Sequence, residues 1–479
     1  MGFFDNFPYT NFHELNVDWV LTEFKKLRNY VEEYTAVNKV NYSGIWDITK
    51  QYPQWAVVSN GDRTYMSSKP VPVGIEIENV EYWIHLADID PRIGGIITQL
   101  DEIMRHSLKF YGAVGDGVTD DSGALKSALA ALDGETLYID SGTFRIATPV
   151  TISQPITIVG GSDSKLKLES TLTIRHHVEN VNIRGISFEG TAVPLIDCIG
   201  IGTVIDSCDF TSSKNILKVR NHDNVVQNCY FKSSGNSVAV IFDVLDGDDG
   251  VNWSVNNKLL NNTIYTEYIG VLCTKSTSAH LQEGLTITGN TILGNHGGSK
   301  CVVINALFAG LISDNIFDLA GQYALEIGGS GNSVSDIHVS ANYLAGDSYG
   351  LLIGGQNSPQ GCSVIGNTIY SKNGGFLVQN SREVDIRNNV VHASDHSFNI
   401  GGGAHYVKIE SNTFLDGLQM GITNSPDKCF VRDNLCHHLS INGTGTRNNP
   451  TYQFDPEGHM TVTNTDNWSV WDFGNMIIE

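Results

Sequence analysis

An asparagine followed two positions later by an apolar residue recurs through the second half of the chain, at intervals of 22 to 28 residues. Upstream, Ile186, Cys208 and Cys229 keep the same phase without the asparagine. A repeat of this length indicates a solenoid, because one unit cannot bury its own apolar face and must stack on its neighbours. The repeated asparagines are Asn262, Asn290, Asn315, Asn342, Asn367, Asn389, Asn412 and Asn434.

Two strand-like segments flank each asparagine. Apolar and polar residues alternate before it, as in 384–386 ahead of Asn389, and a second such segment follows about ten residues later, as in 351–353. Gly-rich turns close many of these units, and no helix-length segment separates the strands, which excludes a doubly wound α/β sheet. The sequence therefore predicts a mainly β protein whose coils stack into a parallel β-helix.

The repeated asparagine suits the inside of a bend. Stacked at a strand spacing of roughly 4.8 Å, each amide can bond the amides one coil above and below, which would satisfy polar groups buried at that corner. The alternative is that the asparagines occupy left-handed turn positions. Both arrangements are compatible with a parallel β-helix.

The chain divides into five predicted segments. Residues 1–40 have apolar positions spaced by three and four and are predicted to form a coiled-coil-like helix that self-associates, with packing on the same chain as the alternative. Residues 41–90 form a small β module whose aromatic residues contact sugars or another protein, or simply form its core. Residues 91–109 are predicted to form a neck helix, 110–440 the β-helix, and 441–479 a C-terminal cap.

Composition limits the partners. The net charge of −22 argues against binding to nucleic acid or anionic lipid. No apolar run is long enough to span a bilayer, so membrane insertion is not expected. The eight cysteines sit singly, which favours packed thiols over disulfides or a metal site.

The segment Phe110-Tyr-Gly-Ala-Val-Gly-Asp-Gly-Val-Thr-Asp-Asp121 leads into an apolar helical pattern and then into Gly142-Thr-Phe144. This order resembles the opening of the pectate-lyase-like β-helix superfamily, in which a short helix covers the first coil. The resemblance implies a right-handed parallel β-helix. The front of the chain, with Phe12-His-Glu-Leu-Asn-Val-Asp-Trp19 and Gly44-Ile-Trp-Asp-Ile-Thr49, resembles the virion-attachment ends of short-tailed phage appendages.

Together these resemblances imply a homotrimeric tailspike or pre-neck appendage, placed on the tail or neck of the virion and acting at the host cell surface. The implied partners are a host cell-wall or capsule glycan and, through the N-terminal region, phage neck or tail structural proteins. The expected activity is glycan depolymerisation by carboxylate acid/base catalysis, with hydrolysis favoured over elimination. A non-enzymatic glycan-binding adhesin and a structural virion protein are the alternatives.

One candidate acid interrupts an apolar stripe. The second strand of successive coils is predicted to face outward with Val240, Leu272, Val303, Leu352 and Leu377, a stripe that in a trimer would lie between subunits. Glu326 breaks this stripe. A buried, unpaired carboxylate has the profile of a general acid. The alternative is an ion pair with a neighbouring chain.

Further candidates lie in the turns between the two strand columns: Glu267, His296, Asp347 and Asp395. Asp347 and Asp395 are two coils apart, roughly 10 Å, which suits an inverting glycosidase pair. The alternative is that these polar turn residues are merely solvated.

A long acidic coil carries the last candidate site. Its aspartates, from Asp243 to Asp249, include Gly247-Asp-Asp249, which resembles the paired aspartates of polygalacturonase-type hydrolases, but the Asn-Thr-Asp and Arg-Ile-Lys signatures of that family are absent. A calcium-binding loop or a solvated acidic loop is equally compatible. No other cofactor is expected.

Overall fold

The computed structural model describes residues 41–61, 63–88, 105–161, 163–244, 254–275, 282–328, 333–355, 358–415, 419–422, 430–436, 441–443, 451–454, 460–463 and 476–477. The contacts within the chain divide it into two units, Met1–Arg105 and His106–Glu479. The predicted helix in 1–40 lies outside the described residues, as do residues 91–104 of the predicted neck helix 91–109 and most of the predicted cap. The last two residues of the neck segment, Leu108 and Lys109, begin a 3-10 helix.

The first unit contains a four-stranded sheet in which the strands lie side by side in chain order. The first two strands pair in parallel, and the other pairs are antiparallel. Tyr52, Tyr65 and Trp83 are buried in its core, so three of its aromatic side chains serve packing rather than ligand binding. The strands are Asn41–Ile45, Ala56–Asn60, Arg63–Ser67 and Trp83–Asp88.

The second unit is a stack of coils, each contributing one short strand to each of three parallel sheets. A 3-10 helix, Leu108–Tyr111, and one α-helix, Ser122–Ala131, precede the regular coils. The α-helix buries Leu125, Ala128 and Leu129 against the first coils, as the apolar pattern predicts. It thereby covers the apolar end of the stack.

Sheet 1 contains the strands that precede the repeated asparagine. They are Thr136–Ile139, Ile156–Gly160, Val181–Arg184, Val204–Asp206, Val225–Gln227, Lys258–Leu260, Thr286–Thr288, Leu307–Ser313, Val334–Ser340, Ser363–Ile365, Arg382–Arg387, His405–Glu410 and Phe430–Arg432, with Ser254–Val255 and Gln282–Glu283 beside this path.

Sheet 2 contains the strands that follow the asparagine. They are Asp116–Asp120, Gly142–Ile146, Ser164–Leu168, Ser187–Gly190, Asp209–Ser212, Tyr230–Ser233, Thr263–Thr266, Thr291–His296, Ile316–Ala320, Tyr343–Gly346, Thr368–Ser371, Val390–Ala393, Thr413–Phe414, Leu435–Cys436 and Met476–Ile477.

Sheet 3 completes each coil. Its strands are Val150–Ile152, Leu172–Ile174, Ile196–Cys198, Leu217–Val219, Val238–Phe242, Ile269–Cys273, Lys300–Ile304, Tyr323–Ile327, Tyr349–Ile353, Gly374–Val378, His396–Ile400, Gln419–Ile422 and Ile441–Gly443. A separate antiparallel pair, Thr451–Phe454 with Met460–Thr463, follows the described coils.

Inward side chains stack in columns along the coil axis. The rings of Phe188, Phe210 and Phe231 lie nearly parallel, with centroids 5.0 and 4.7 Å apart. This is the spacing of neighbouring strands. Identical side chains can therefore repeat in register, which is what gives the sequence its period.

The asparagine ladder is confirmed. From Asn262 to Asn412, each side-chain Nδ2 donates to the Oδ1 of the next asparagine at 2.9 to 3.0 Å. Each asparagine backbone N–H donates to the same Oδ1 at 2.8 to 3.0 Å. The left-handed position is taken by the preceding residue, for example Asn261, Asp314 and Asn388 at φ of 56°, 58° and 56°. The alternative that the asparagines themselves occupy that position is therefore wrong.

The register of sheet 3 corrects one predicted residue. Val240 pairs with Val271 and points into the core, whereas Ile241 pairs with Leu272 and faces outward. The outward column then continues as predicted through Val303, Glu326, Leu352 and Leu377.

The outward column is also less exposed than expected. Ile241, Val303 and Leu352 are only 8%, 4% and 6% exposed within a single chain. The stripe therefore needs no partner subunit to keep it from water, and the homotrimer stays a prediction. Among the described helices, none has the length and apolarity needed to cross a membrane.

Candidate functional site

Three ionisable side chains meet at the corner between sheet 2 and sheet 3, and we call His296, Asp347 and Lys372 the corner site. His296 Nδ1 lies 3.1 Å from Asp347 Oδ2, and Lys372 Nζ lies 2.6 Å from Asp347 Oδ1. An ionised carboxylate only accepts hydrogen bonds, so the Nδ1 proton is donated to Asp347. Nε2 is then the imidazole nitrogen left to exchange a proton with a ligand or with water. The imidazole is half exposed.

A local irregularity brings His296 to this position. In the pairing of Thr291–His296 with Ile316–Ala320 the register shifts between Leu293 and His296, and His296 adopts a left-handed φ of 50°. Such a bulge re-aims the side chain that follows it. Ser299, which is fully buried, donates from Oγ to the His296 carbonyl at 2.9 Å and holds the turn.

A glycine on the next coil lets the backbone of the His296 turn pack closely against it. His296 stacks on Ala320, and Ala320 stacks on Gly346, so Asp347 belongs to the second coil beyond His296. The next residue after Ala320 is Gly321, whose added Cβ would lie 2.0 Å from the Gly297 carbonyl oxygen. The turn after His296 therefore rests directly on Gly321, and any larger residue would push it away.

The electrostatics of Asp347 define what it can do. Partial burial acts to raise the pKa of Asp347, but hydrogen bonds and charge from Lys372 and His296 outweigh burial and hold the pKa below its usual range. The carboxylate is therefore ionised at neutral pH. An ionised carboxylate can orient an imidazole or act as a base, whereas a general acid must hold a proton.

Asp395 and Glu267, the other predicted turn residues, lie on coils other than that of Asp347. Asp395 is exposed on the coil after Lys372, where its backbone N–H donates to the Asn373 carbonyl. Glu267 is exposed on an earlier coil, and its Oε2 accepts a hydrogen bond from the Gly235 N–H at 2.6 Å. The catalytic roles predicted for both residues stay predictions.

Glu326 has a different environment from the predicted one. Its side chain is 9% exposed and forms an ion pair with Lys300 of the preceding coil. The unpaired carboxylate expected of a general acid is therefore not found at this position. The ion pair that the structure shows lies within one chain, and a contact of Glu326 with a neighbouring chain stays a prediction.

The acidic coil offers one described aspartate. Asp243 is almost fully buried and pairs with Lys218 Nζ at 2.6 Å, while Asp246, Asp248 and Asp249 lie outside the described residues. In the part of the chain that the structure describes, no cluster of three or more His, Cys, Asp or Glu side chains could hold a metal ion. Calcium binding at this loop stays a prediction.

Sequence reasoning missed the two lysines. Lys372 follows the strand Thr368–Ser371 at the same corner as Asp347, and Lys300 begins the strand Lys300–Ile304. Each lysine occupies a position that has an equivalent residue one coil period away. Aligning basic as well as acidic residues by coil would have placed Lys372 beside Asp347 and Lys300 beside Glu326.

Three parallel sheets, a buried asparagine ladder and a helix over the first coils define a protein of the right-handed parallel β-helix class. Residues 106–300 match the family described as rhamnogalacturonase A/epimerase, pectate lyase-like. This match includes residues 110–144, where the sequence resembles the opening of the pectate-lyase-like β-helix superfamily.

Two curated relatives are phage proteins. The chain is 25% identical over 218 residues to the pre-neck appendage protein of Bacillus phage B103, a match covering 42% of this chain and 23% of that protein. It is 23% identical over 284 residues to a capsule K30/K69-specific depolymerase of Klebsiella phage K64-1, covering 47% of this chain and 36% of the relative. The chain spans at most about a third of the length of these relatives.

The fold recurs in a solved tailspike structure. Tailspike protein 3 of bacteriophage CBA120 superposes with a TM-score of 0.50 at 13% identity, covering 86% of this chain and 78% of that one. At this identity the likeness concerns the fold.

Proposed function

We propose that this chain is part of a phage virion appendage that binds a host cell-surface glycan and hydrolyses it, with the corner site transferring protons. The observation that carries the proposal is the ionised Asp347 bound to both His296 and Lys372 on the outer surface of the coil stack. Support for the glycan comes from the relatives, one a phage pre-neck appendage protein and one a capsule-specific depolymerase.

In the proposed hydrolysis, a water oxygen bonds to the anomeric carbon while the glycosidic C–O bond breaks. The water proton passes to His296 Nε2, and Asp347 stabilises the imidazolium through its hydrogen bond to Nδ1. The leaving oxygen takes a proton from a general acid. We assign that role to Asp395, as the sequence predicts; it lies two coils, roughly 10 Å, beyond Asp347.

The test uses the purified chain with a panel of polysaccharides: K30 and K69 capsular polysaccharide, rhamnogalacturonan and Bacillus wall glycan. New reducing ends and the ultraviolet absorbance of unsaturated uronates are followed together. We expect reducing ends without ultraviolet absorbance, and a loss of at least about a hundredfold in rate for His296→Gln and Asp347→Asn. Asp209→Asn, a change at an exposed position of sheet 2, is the matched control.

Other outcomes would redirect the proposal. Products that absorb in the ultraviolet would show elimination instead of hydrolysis. Binding without any product would leave a non-enzymatic adhesin. Activity unchanged in both corner-site variants would show that the chemistry lies elsewhere on the chain.

A further inference from the structure

We propose that Tyr323 and Tyr349 form a stacking platform for a pyranose ring of the glycan, on the outer face of sheet 3 beside the corner site. This inference rests on the proposed function and assigns the binding subsite that would present the glycan to it. The platform consists of the two tyrosines together with Gly374, over which one ring lies, and the ion pair of Lys300 with Glu326.

The two tyrosines are neighbours on adjacent coils. Tyr323 pairs directly with Tyr349, and their ring centroids are 6.3 Å apart with an angle of 35° between the planes. Both side chains are half-buried at the start of their strands. Two inclined rings at this distance offer a continuous aromatic surface about as long as one sugar ring. The axial C–H groups of a pyranose can contact the electron-rich faces of such rings.

Gly374 leaves room for the ring of Tyr349. Tyr349 pairs with Gly374 on the next coil, and a Cβ added to Gly374 would lie 2.2 Å from Cε1 of Tyr349. One edge of the Tyr349 ring, from Cδ1 to Cζ, therefore occupies the space where the next coil has no side chain. Gly374 does not have a left-handed φ, so close approach of the ring, rather than backbone conformation, is what requires glycine here.

The other end of the platform carries polar groups. Lys300 Nζ lies 5.2 Å from the Tyr323 ring centroid and pairs with Glu326. Burial, with the nearby charge of Glu326 and the Tyr349 phenol, raises the pKa of Tyr323, so its hydroxyl keeps its proton and can donate. A largely apolar surface edged by a few fixed polar groups is the usual composition of a ligand site.

The platform is continuous with the corner site along the chain. Tyr349 follows Asp347 by two residues, and Gly374 follows Lys372 by two. A sugar ring stacked on Tyr349 would therefore lie next to the coils that hold Asp347 and Lys372. We therefore expect the tyrosines to bind one sugar unit while His296 acts at a neighbouring glycosidic bond.

Three variants test the platform with the same polysaccharide panel. Tyr349→Ala removes one ring. Gly374→Ala keeps both tyrosines but displaces the Tyr349 ring, because the new methyl group would overlap it. Tyr370→Ala removes a tyrosine that is 48% exposed on sheet 2 and serves as the matched control. Far-UV circular dichroism and thermal unfolding establish that each variant is folded.

We expect KM to rise about three- to tenfold for Tyr349→Ala and Gly374→Ala, with kcat within about twofold of the parent and Tyr370→Ala unchanged. If the parent binds a polysaccharide without cleaving it, the same increase in Kd supports the platform while overturning hydrolysis. If the parent cleaves and neither variant differs from Tyr370→Ala, the platform is refuted and the proposed function stands. Absence of both binding and cleavage across the panel overturns both.

Discussion

Replacing Asn342 with alanine should be among the most destabilising single changes in the coil stack. Its Oδ1 accepts from the backbone N–H and Nδ2 of Asn315 at 3.0 and 2.9 Å. Its Nδ2 donates at 2.9 Å to the carbonyls of Ile312 and Ser340 and to Asn367 Oδ1. Each buried polar group left without a partner costs about 1 to 3 kcal/mol. With the Asn315 N–H and the carbonyl groups affected together, we expect a loss of about 4 kcal/mol in the free energy of unfolding.

Urea unfolding followed by far-UV circular dichroism measures this loss as a lower midpoint at an unchanged slope. Asn342→Asp keeps an acceptor for Asn315 but loses the donors and sets a carboxylate oxygen against Asn367 Oδ1, so it should destabilise at least as much. Asn373→Ala, at an exposed turn, is the matched control and should stay within about 0.5 kcal/mol of the parent. A difference below about 1 kcal/mol between Asn342→Ala and this control would refute the view that the ladder stabilises the stack.

Three further predictions follow from the corner site and the core. Gly321→Ala should lower activity about a hundredfold by displacing the His296 turn. Gly298→Ala is the control and should leave activity unchanged, because its Cβ would meet nothing within 4 Å. Comparable rates in the two variants would contradict the role of Gly321. The partners of Asp347 lower its pKa, so they stabilise the fold above the ordinary aspartate pKa of about 3.9, and this contribution is lost as the pH falls through the lowered folded-state value. Lys372→Met removes one of these partners and should raise the pKa of Asp347, which moves the acid limb of the pH–rate profile to higher pH. An unmoved limb would count against the pairing. Burial raises the pKa of Cys198, Cys301 and Cys362 to about 12, so mass-spectrometric mapping should find these thiols unlabelled by a thiol reagent in the folded protein and labelled after unfolding.

The fold was predictable because its interactions are periodic. Asn290, Asn315 and Asn342 make the same contacts one coil apart. The repeated hydrogen bond therefore requires an asparagine once in each coil, and this interval is visible in the sequence. Outward positions on sheet 3 follow from strand alternation, and only Val240 was assigned to the wrong face. The strand Val238–Phe242 is apolar at all five positions, so alternation gives no signal there and the register depends on pairing with the next coil.

The corner site was only partly predictable. The turn positions of His296 and Asp347 follow from the coil period, but their contact depends on a bulge after Leu293 and on the missing side chain at Gly321. Neither feature alters the period of the repeat. The sequence likewise shows Glu326 as an acidic residue in an apolar column, but it does not show that Lys300 forms an ion pair with it.

The regular bend and the irregular corner have complementary roles. At the bend between sheets 1 and 2, the ladder makes the same contacts in successive coils and thereby sets the distance between them. At the corner between sheets 2 and 3, the register shifts between Leu293 and His296 and again between Phe317 and Ala320. Because the ladder holds the coils, this corner can depart from regular pairing and present His296 without loosening the stack. Replacing the turn at 294–299 with a shorter one from another coil should therefore abolish activity while leaving the urea midpoint close to that of the parent.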